Sequence, residues 1–199
     1  MTVNRSKIGL AVLISGRGSN LQSLIDACAL ADFPAEIKLV VCNIPDVFGI
    51  ERAKKAGIPV AVIPHKDFPS RETFEQAMLE EIGKYPVDLV CQAGFMRIVT
   101  PTFITPWRGR LINIHPSLLP KFKGLHTHER AIEAGETEAG CTVHYVNEAV
   151  DEGEIIIQKS VPILQGDTPD TLAARVLEKE HIAYPEAVRL LAQNILEKQ

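Results

Sequence analysis

Ile8-Gly9-Leu10-Ala11-Val12-Leu13-Ile14-Ser15-Gly16-Arg17-Gly18-Ser19-Asn20 is the stretch from which the fold is read. Its run from Ile8 to Ile14 is apolar without alternation, and a strand with two apolar sides belongs inside a parallel sheet covered on both faces. Gly16 and Gly18 then break the run, and Leu21, Leu24, Ile25 and Cys28 repeat at helical spacing. Ser19 followed by Gln22 has the form of a capping box at the helix start. Strand, glycine turn and helix therefore come in order.

The unit recurs outward from this stretch. Ile37–Cys42 reads as a strand, Gly49–Ala56 as a helix and Val60–Ile63 as a third strand. A helix begins at Ser70 with Phe74, Ala77, Met78 and Ile82 as its stripe, and Val87–Cys91 and Leu111–Ile114 supply two more strands. Strands alternating with helices imply a parallel sheet with right-handed crossovers. After Ala139 the pattern changes: Cys141–Val146 and Glu154–Ile163 are joined by Asn147–Gly153, too short for a crossover helix, so this pair is expected to be antiparallel. Thr168-Pro169 opens a last helix, which Tyr184-Pro185 is expected to kink or divide before Ala187–Ile195. The expected class is α/β, a Rossmann-like mixed, mostly parallel sheet with helices on both faces.

The 199 residues, 46% hydrophobic, suit one core, so a single domain over 1–199 is expected, with an N-terminal half of about 1–110 and a C-terminal half of about 111–199. A formal charge of -4 provides no basic field for nucleic acid. Cys28, Cys42, Cys91 and Cys141 form no C-x-x-C pair and read as reduced core residues. The start, Met1 to Lys7, is polar, and the run from Ile8 to Ile14 is too short for a membrane span and lacks a cleavage-site pattern behind it. A cytoplasmic protein is expected.

Several residues could carry chemistry. The turn Gly16-Arg17-Gly18-Ser19-Asn20 stands at a helix start, where free N–H groups and the helix dipole favour an anion. A phosphate site and a plain tight turn fit it equally, because the third glycine of a dinucleotide fingerprint falls at Leu21. Asn113 and His115 alternate onto one face at a strand's carboxyl end, where open α/β sheets bind ligands, and Pro116 and Pro120 stiffen the loop after it. That pairing favours function over a structural histidine. Asp151, in an acidic segment, reads from the residues alone as a solvated turn. Glu180 comes after Val176 and Leu177 by four and three positions, so it points at the apolar stripe and needs a partner. His126, His128 and His144 lack metal-ligand spacing and suit hydrogen bonding better than a metal. A Ser117-His115-Asp151 triad is a third choice, since the nucleophile elbow is missing. Lys121-Phe122-Lys123 reads as solvated surface.

Asn113-Ile114-His115-Pro116-Ser117-Leu118-Leu119-Pro120, running on through Gly124-Leu125-His126-Thr127-His128, closely resembles the phosphoribosylglycinamide formyltransferase family of purine biosynthesis. The resemblance spans nearly the whole chain, with further anchors at Ser15–Gln22, Ala93–Arg97, Glu180-His181 and Tyr184-Pro185. It implies that Gly18, Ser19 and Asn20 cradle the phosphate of glycinamide ribonucleotide and that Glu180 contacts the same substrate. It sets 10-formyltetrahydrofolate against Arg71, the backbone of Met96, Arg97, Ile98 and Val99, and Asn113, Asn147 and Asp151. Asn113, His115 and Asp151 match the catalytic trio, so Asp151 becomes functional only through the resemblance.

The expected chemistry is direct attack of the amine on the formyl carbon, with Asn113 and His115 donating to the oxyanion and no metal or covalent intermediate required. A carboxylate beside His115 is expected to raise its pKa. The expected partners are the two small molecules, with no nucleic acid and no membrane, and the chain is expected to be a monomer or homodimer. Methionyl-tRNA formyltransferase shares the Asn-x-His-Pro motif but would call for a further RNA-binding domain. The hydrolase that releases formate from the same carrier resembles this chain less closely at Pro116. A non-catalytic nucleotide-binding module is disfavoured by the intact trio.

Overall fold

A computed structural model describes residues 6–198; the polar start up to residue 5 and the last residue lie outside the described residues. The seven-stranded sheet runs in the order β3-β2-β1-β4-β5-β6-β7. The strands are β1 (Ile8–Ile14), β2 (Ala35–Cys42), β3 (Val60–Val62), β4 (Leu89–Gln92), β5 (Leu111–His115), β6 (Glu138–Tyr145) and β7 (Ile155–Pro162). The first five pair in parallel, whereas β6 is antiparallel to both β5 and β7, the second pairing being what the short 147–153 connection requires. Every residue of β1 is buried, which explains its unbroken apolar run.

The helices are α1 (Ser19–Cys28), α2 (Phe48–Lys55), α3 (Arg71–Ile82), α4 (Pro101–Ile104), α5 (Thr127–Glu133) and α6 (Pro169–Leu196). Ile8, Leu10, Val12 and Ile14 of β1 enter one core with Leu21 and Leu24 of α1, Ile50 of α2 and Val176, Tyr184 and Val188 of α6. Ala11 and Leu13 enter the other, with Phe74, Met78 and Ile82 of α3 and Phe103 of α4. Alternation along one strand thus feeds two layers of helices. The chain leaves β1 toward β2 and returns to β4 on the opposite side, so the strand order reverses between β1 and β4, where open sheets form their ligand crevice.

Two local details depart from the sequence reading. Of the kink or division expected at Pro185, no division occurs: α6 runs as one element for 28 residues. A mid-helix proline withdraws one backbone donor, but Ala183, Tyr184, Ala187, Val188 and Leu191 bury their side chains on both sides of it, and Tyr184 Oη–H donates to the Gln92 carbonyl at 2.7 Å. Burial outweighs the local preference. The capping box at Ser19 is also absent: the N-cap is Gly18, at φ 70°, with no side-chain cap. Gln22 turns outward instead, toward Asp26 and Arg52. At α3 and α6 the boxes form, with Ser70 paired to Thr73 and Thr168 to Thr171.

Candidate active site

The site is assembled along the carboxyl edge of β5. Asn113 is in register with Gln92 on one side and His144 on the other, and His115 is opposite Thr142. Asn113 Nδ2 lies 3.3 Å from His144 Nε2, while His144 Nδ1–H donates to the Tyr145 carbonyl at 2.8 Å. The 147–153 loop then folds over this edge. Gly153 lies so close to Tyr145 that a Cβ would come within 1.6 Å of its carbonyl oxygen, and Asp151 holds φ at 53°. Asp151 Oδ2 stands 3.3 Å from His115 Nδ1 and accepts the Gly124 N–H at 2.9 Å, with Oδ1 3.6 Å from His144 Nε2. The structure therefore brings Asn113, His115 and Asp151 together and adds His144 to them.

Both ring nitrogens of His115 face oxygen acceptors, Asp151 Oδ2 and, at 3.0 Å, the Phe122 carbonyl. Only the imidazolium donates to both at once. Burial nevertheless dominates: it pushes His115 below its ordinary pKa, and the Phe122 carbonyl and Asp151 only partly offset it. Asp151 acts upward as expected, but the expected net rise is corrected to a fall, because a ring only 6% exposed loses more hydration than one carboxylate returns. Burial pushes Asp151 upward, but His144, the Gly124 N–H and the nearby His115 together hold it below the carboxylate range.

The serine triad is not formed. Ser117 Oγ–H donates to the Lys121 carbonyl at 2.7 Å, and Thr142 Oγ1–H to the Ser117 carbonyl, so Ser117 locks the loop. His126 stays apart from His115 and His144, exposed and facing Glu129, and among the described residues no group of three or more His, Cys, Asp or Glu side chains is arranged to hold a metal ion.

A second cluster forms at the start of α1. Asn20 Nδ2–H donates to Glu180 Oε2 at 2.6 Å, so the buried carboxylate finds its partner across the chain. Burial pushes Glu180 upward, with the Asn20 bond opposing. Asn20 Oδ1 is buried without a partner among the described residues, and α1 has neither a side-chain cap nor an acidic residue in its first turn. A positive helix end left uncompensated suits an anion. A cavity of about 340 Å³ opens beside it, lined by Ser19, Gln22, Ser23, Asp26, Arg52 and His181.

The third group lies at the switch in strand order. Met96 N–H donates to Ser15 Oγ at 2.8 Å, directly after β1. Buried Glu75 takes the Thr100 N–H at 2.7 Å and its hydroxyl, fixing the other end of the 96–99 segment to α3, one turn beyond exposed Arg71. Asn147 Oδ1 accepts the Ala149 N–H at 3.1 Å, shaping the 147–151 loop. Met96 (65%), Ile98 (58%) and Val150 (45%) leave large apolar side chains in solvent, and Val99 is buried. Residues 8–188 match the family described as formyl transferase. The chain belongs to the formyl transferase family.

The named relatives narrow the kinship within this family. Phosphoribosylglycinamide formyltransferase of Escherichia coli (strain K12) is 45% identical over 189 residues, covering 95% of this chain and 89% of its own length. Glycinamide ribonucleotide transformylase 1 from Symbiobacterium toebii superposes with a TM-score of 0.93 at 46% identity, covering 95% of this chain and 89% of that one. The trifunctional purine biosynthetic protein adenosine-3 of Drosophila pseudoobscura pseudoobscura is 56% identical over 191 residues, 95% of this chain, yet this chain spans only 14% of that protein's length.

Three parts of the candidate site escaped the sequence. His144 stood among histidines without ligand spacing, and only pairing of β5 with β6 sets it opposite Asn113. Phe122 belongs to the loop read as surface: its flanking Lys121 and Lys123 do pair with Glu136 and Glu152, but its carbonyl holds His115. Glu75 is a buried carboxylate inside an amphipathic helix, a signal the stripe count passed over.

Proposed function

We propose that this chain transfers the formyl group of 10-formyltetrahydrofolate to the amine of N1-(5-phospho-D-ribosyl)glycinamide in purine biosynthesis. It works as one cytoplasmic domain, as a monomer or homodimer, its partners being these two small molecules. Gly18, Ser19 and Asn20 take the phosphate and Glu180 the rest of the ribonucleotide. The reduced folate lies along Arg71, Met96, Arg97, Ile98, Val99, Asn113, Asn147 and Asp151, where exposed Met96, Ile98 and Val150 suit a flat ring.

The amine nitrogen attacks the formyl carbon as the bond to the folate N10 breaks, and charge gathers on the formyl oxygen. Asn113 Nδ2–H, held by His144 at 3.3 Å, donates to that oxygen, and a ring N–H of His115 joins it once the ring has taken up a proton. The attacking amine must lose a proton and N10 must gain one. A His115 kept neutral by burial accepts first, Asp151 at 3.3 Å stabilises the imidazolium formed, and the proton passes on to N10. The observation that carries this reading is the row Asn113–His144 and His115–Asp151 on one strand edge. Incubating the protein with 10-formyltetrahydrofolate and glycinamide ribonucleotide, or with water alone, tests it. Formylated ribonucleotide is expected; formate release independent of the ribonucleotide would make the protein a hydrolase instead.

A further inference from the structure

Two consecutive carbonyls of the 16–18 turn are drawn to α2. Gly49 N–H donates to Gly16 O at 3.0 Å, and Arg52 Nε–H donates to Arg17 O at 2.9 Å. In a planar trans peptide the C=O and N–H point in opposite directions, and the only cis bond among the described residues is Leu119–Pro120. The amides of Arg17 and Gly18 are thereby turned away from α2.

The grip is close because both sides are glycine. A Cβ on Gly18 would meet Gly49 Cα at 2.8 Å, and one on Gly49 would meet Gly16 O at 2.7 Å. Arg52 is itself fixed, with Nη1–H on Gln22 Oε1 at 3.1 Å and its guanidinium 4.7 Å from the Phe48 ring centre. One side chain therefore ties the turn's carbonyl to the first turn of α1.

We infer that Arg52 is a positioning residue for the substrate phosphate, acting from α2 to set the direction of the turn's amides. This rests on the assignment of the phosphate to Gly18, Ser19 and Asn20. A charged donor bonded to a carbonyl is among the stronger hydrogen bonds, and its loss typically weakens what it organises by roughly tenfold or more.

The test uses the full chain with Arg52→Met and Arg52→Lys. The methionine variant is expected to raise KM for the ribonucleotide roughly tenfold, with kcat and the affinity for a folate analogue held. Lysine keeps a donor for Arg17 O and recovers much of the loss. In the ligand-free protein, hydrogen exchange at the Gly49 amide, which donates to Gly16 O, is expected to quicken in Arg52→Met and much less in Arg52→Lys. An unchanged KM overturns the inference, and so does a raised KM with unchanged exchange, which would make Arg52 a direct charge contact. Asn20→Asp in the same assay separates the two levels. If it raises the ribonucleotide KM while Arg52→Met does not, the phosphate assignment stands and the positioning role falls; if it has no effect, the assignment itself falls.

Discussion

Replacing Asp151 with Asn tests the proposed proton relay most directly. The substitution is nearly isosteric, Asn tolerates the left-handed backbone that Asp151 adopts at φ 53°, and its carbonyl oxygen can still accept the Gly124 N–H. What disappears is the charge 3.3 Å from His115 Nδ1. At an effective dielectric of roughly 20, that charge attracts an imidazolium by about 5 kcal/mol. The loss of rate is therefore capped at roughly 10³- to 10⁴-fold, and the amide dipole restores part of it, so kcat is expected to fall by roughly 10²-fold. The pH profile carries the sign. A neutral His115 accepts the amine's proton, so kcat declines as pH falls through its lowered pKa. Asn removes an interaction that favours the charged ring, lowers that pKa further and moves the acid limb to lower pH. Steady-state rates against pH for the wild type, Asp151→Asn, His115→Asn and the double variant decide it, because residues acting as a unit lose far less together than the product of their separate losses. A kcat within about threefold of wild type, with an unmoved acid limb, would refute the reasoning and leave Asp151 as a loop residue that closes on Gly124.

Further outcomes are expected. Asn20→Asp sets a second carboxylate against Glu180 Oε2, 2.6 Å from the present amide, and beside the proposed phosphate, so KM for the ribonucleotide should rise far more than KM for the folate; equal rises in kinetics would count against the phosphate assignment. Arg71→Ala should weaken a folate analogue by roughly two- to fivefold, the worth of one exposed charge, with ribonucleotide binding unchanged; calorimetry showing no change would return Arg71 to the surface. Burial pushes Cys28 and Cys141 up to about 12 and raises Cys42 and Cys91 as well, so a thiol reagent at pH 8 should modify the folded protein slowly and the denatured protein at once. Rapid labelling of the native state would contradict this.

What could be read in the chain beforehand was whatever depends on near neighbours. The unbroken apolar run of β1, the glycine turn and the stripe of α1 declare a parallel sheet, and the short 147–153 connection forces an antiparallel pair, because period and loop length act within a few residues. The approach of Asn113 and His115 on one face came from alternation alone. Glu180 announced that it needed a partner by its place in a helical stripe, but not that the partner would be Asn20, 160 positions away. The remainder was decided by tertiary structure. Pro185 stays inside α6 since burial on both sides exceeds a local cost, and Ser19 loses its cap to the left-handed Gly18 beneath Gly49. The acidic turn at Asp151 reaches the candidate site only because Gly153 lets the loop lie against Tyr145, and His144 joins only through strand register. Even the protonation of His115 is a tertiary quantity. Sequence shows that a carboxylate exists, whereas hydration lost on folding, which no spacing records, determines which of the two opposing effects prevails.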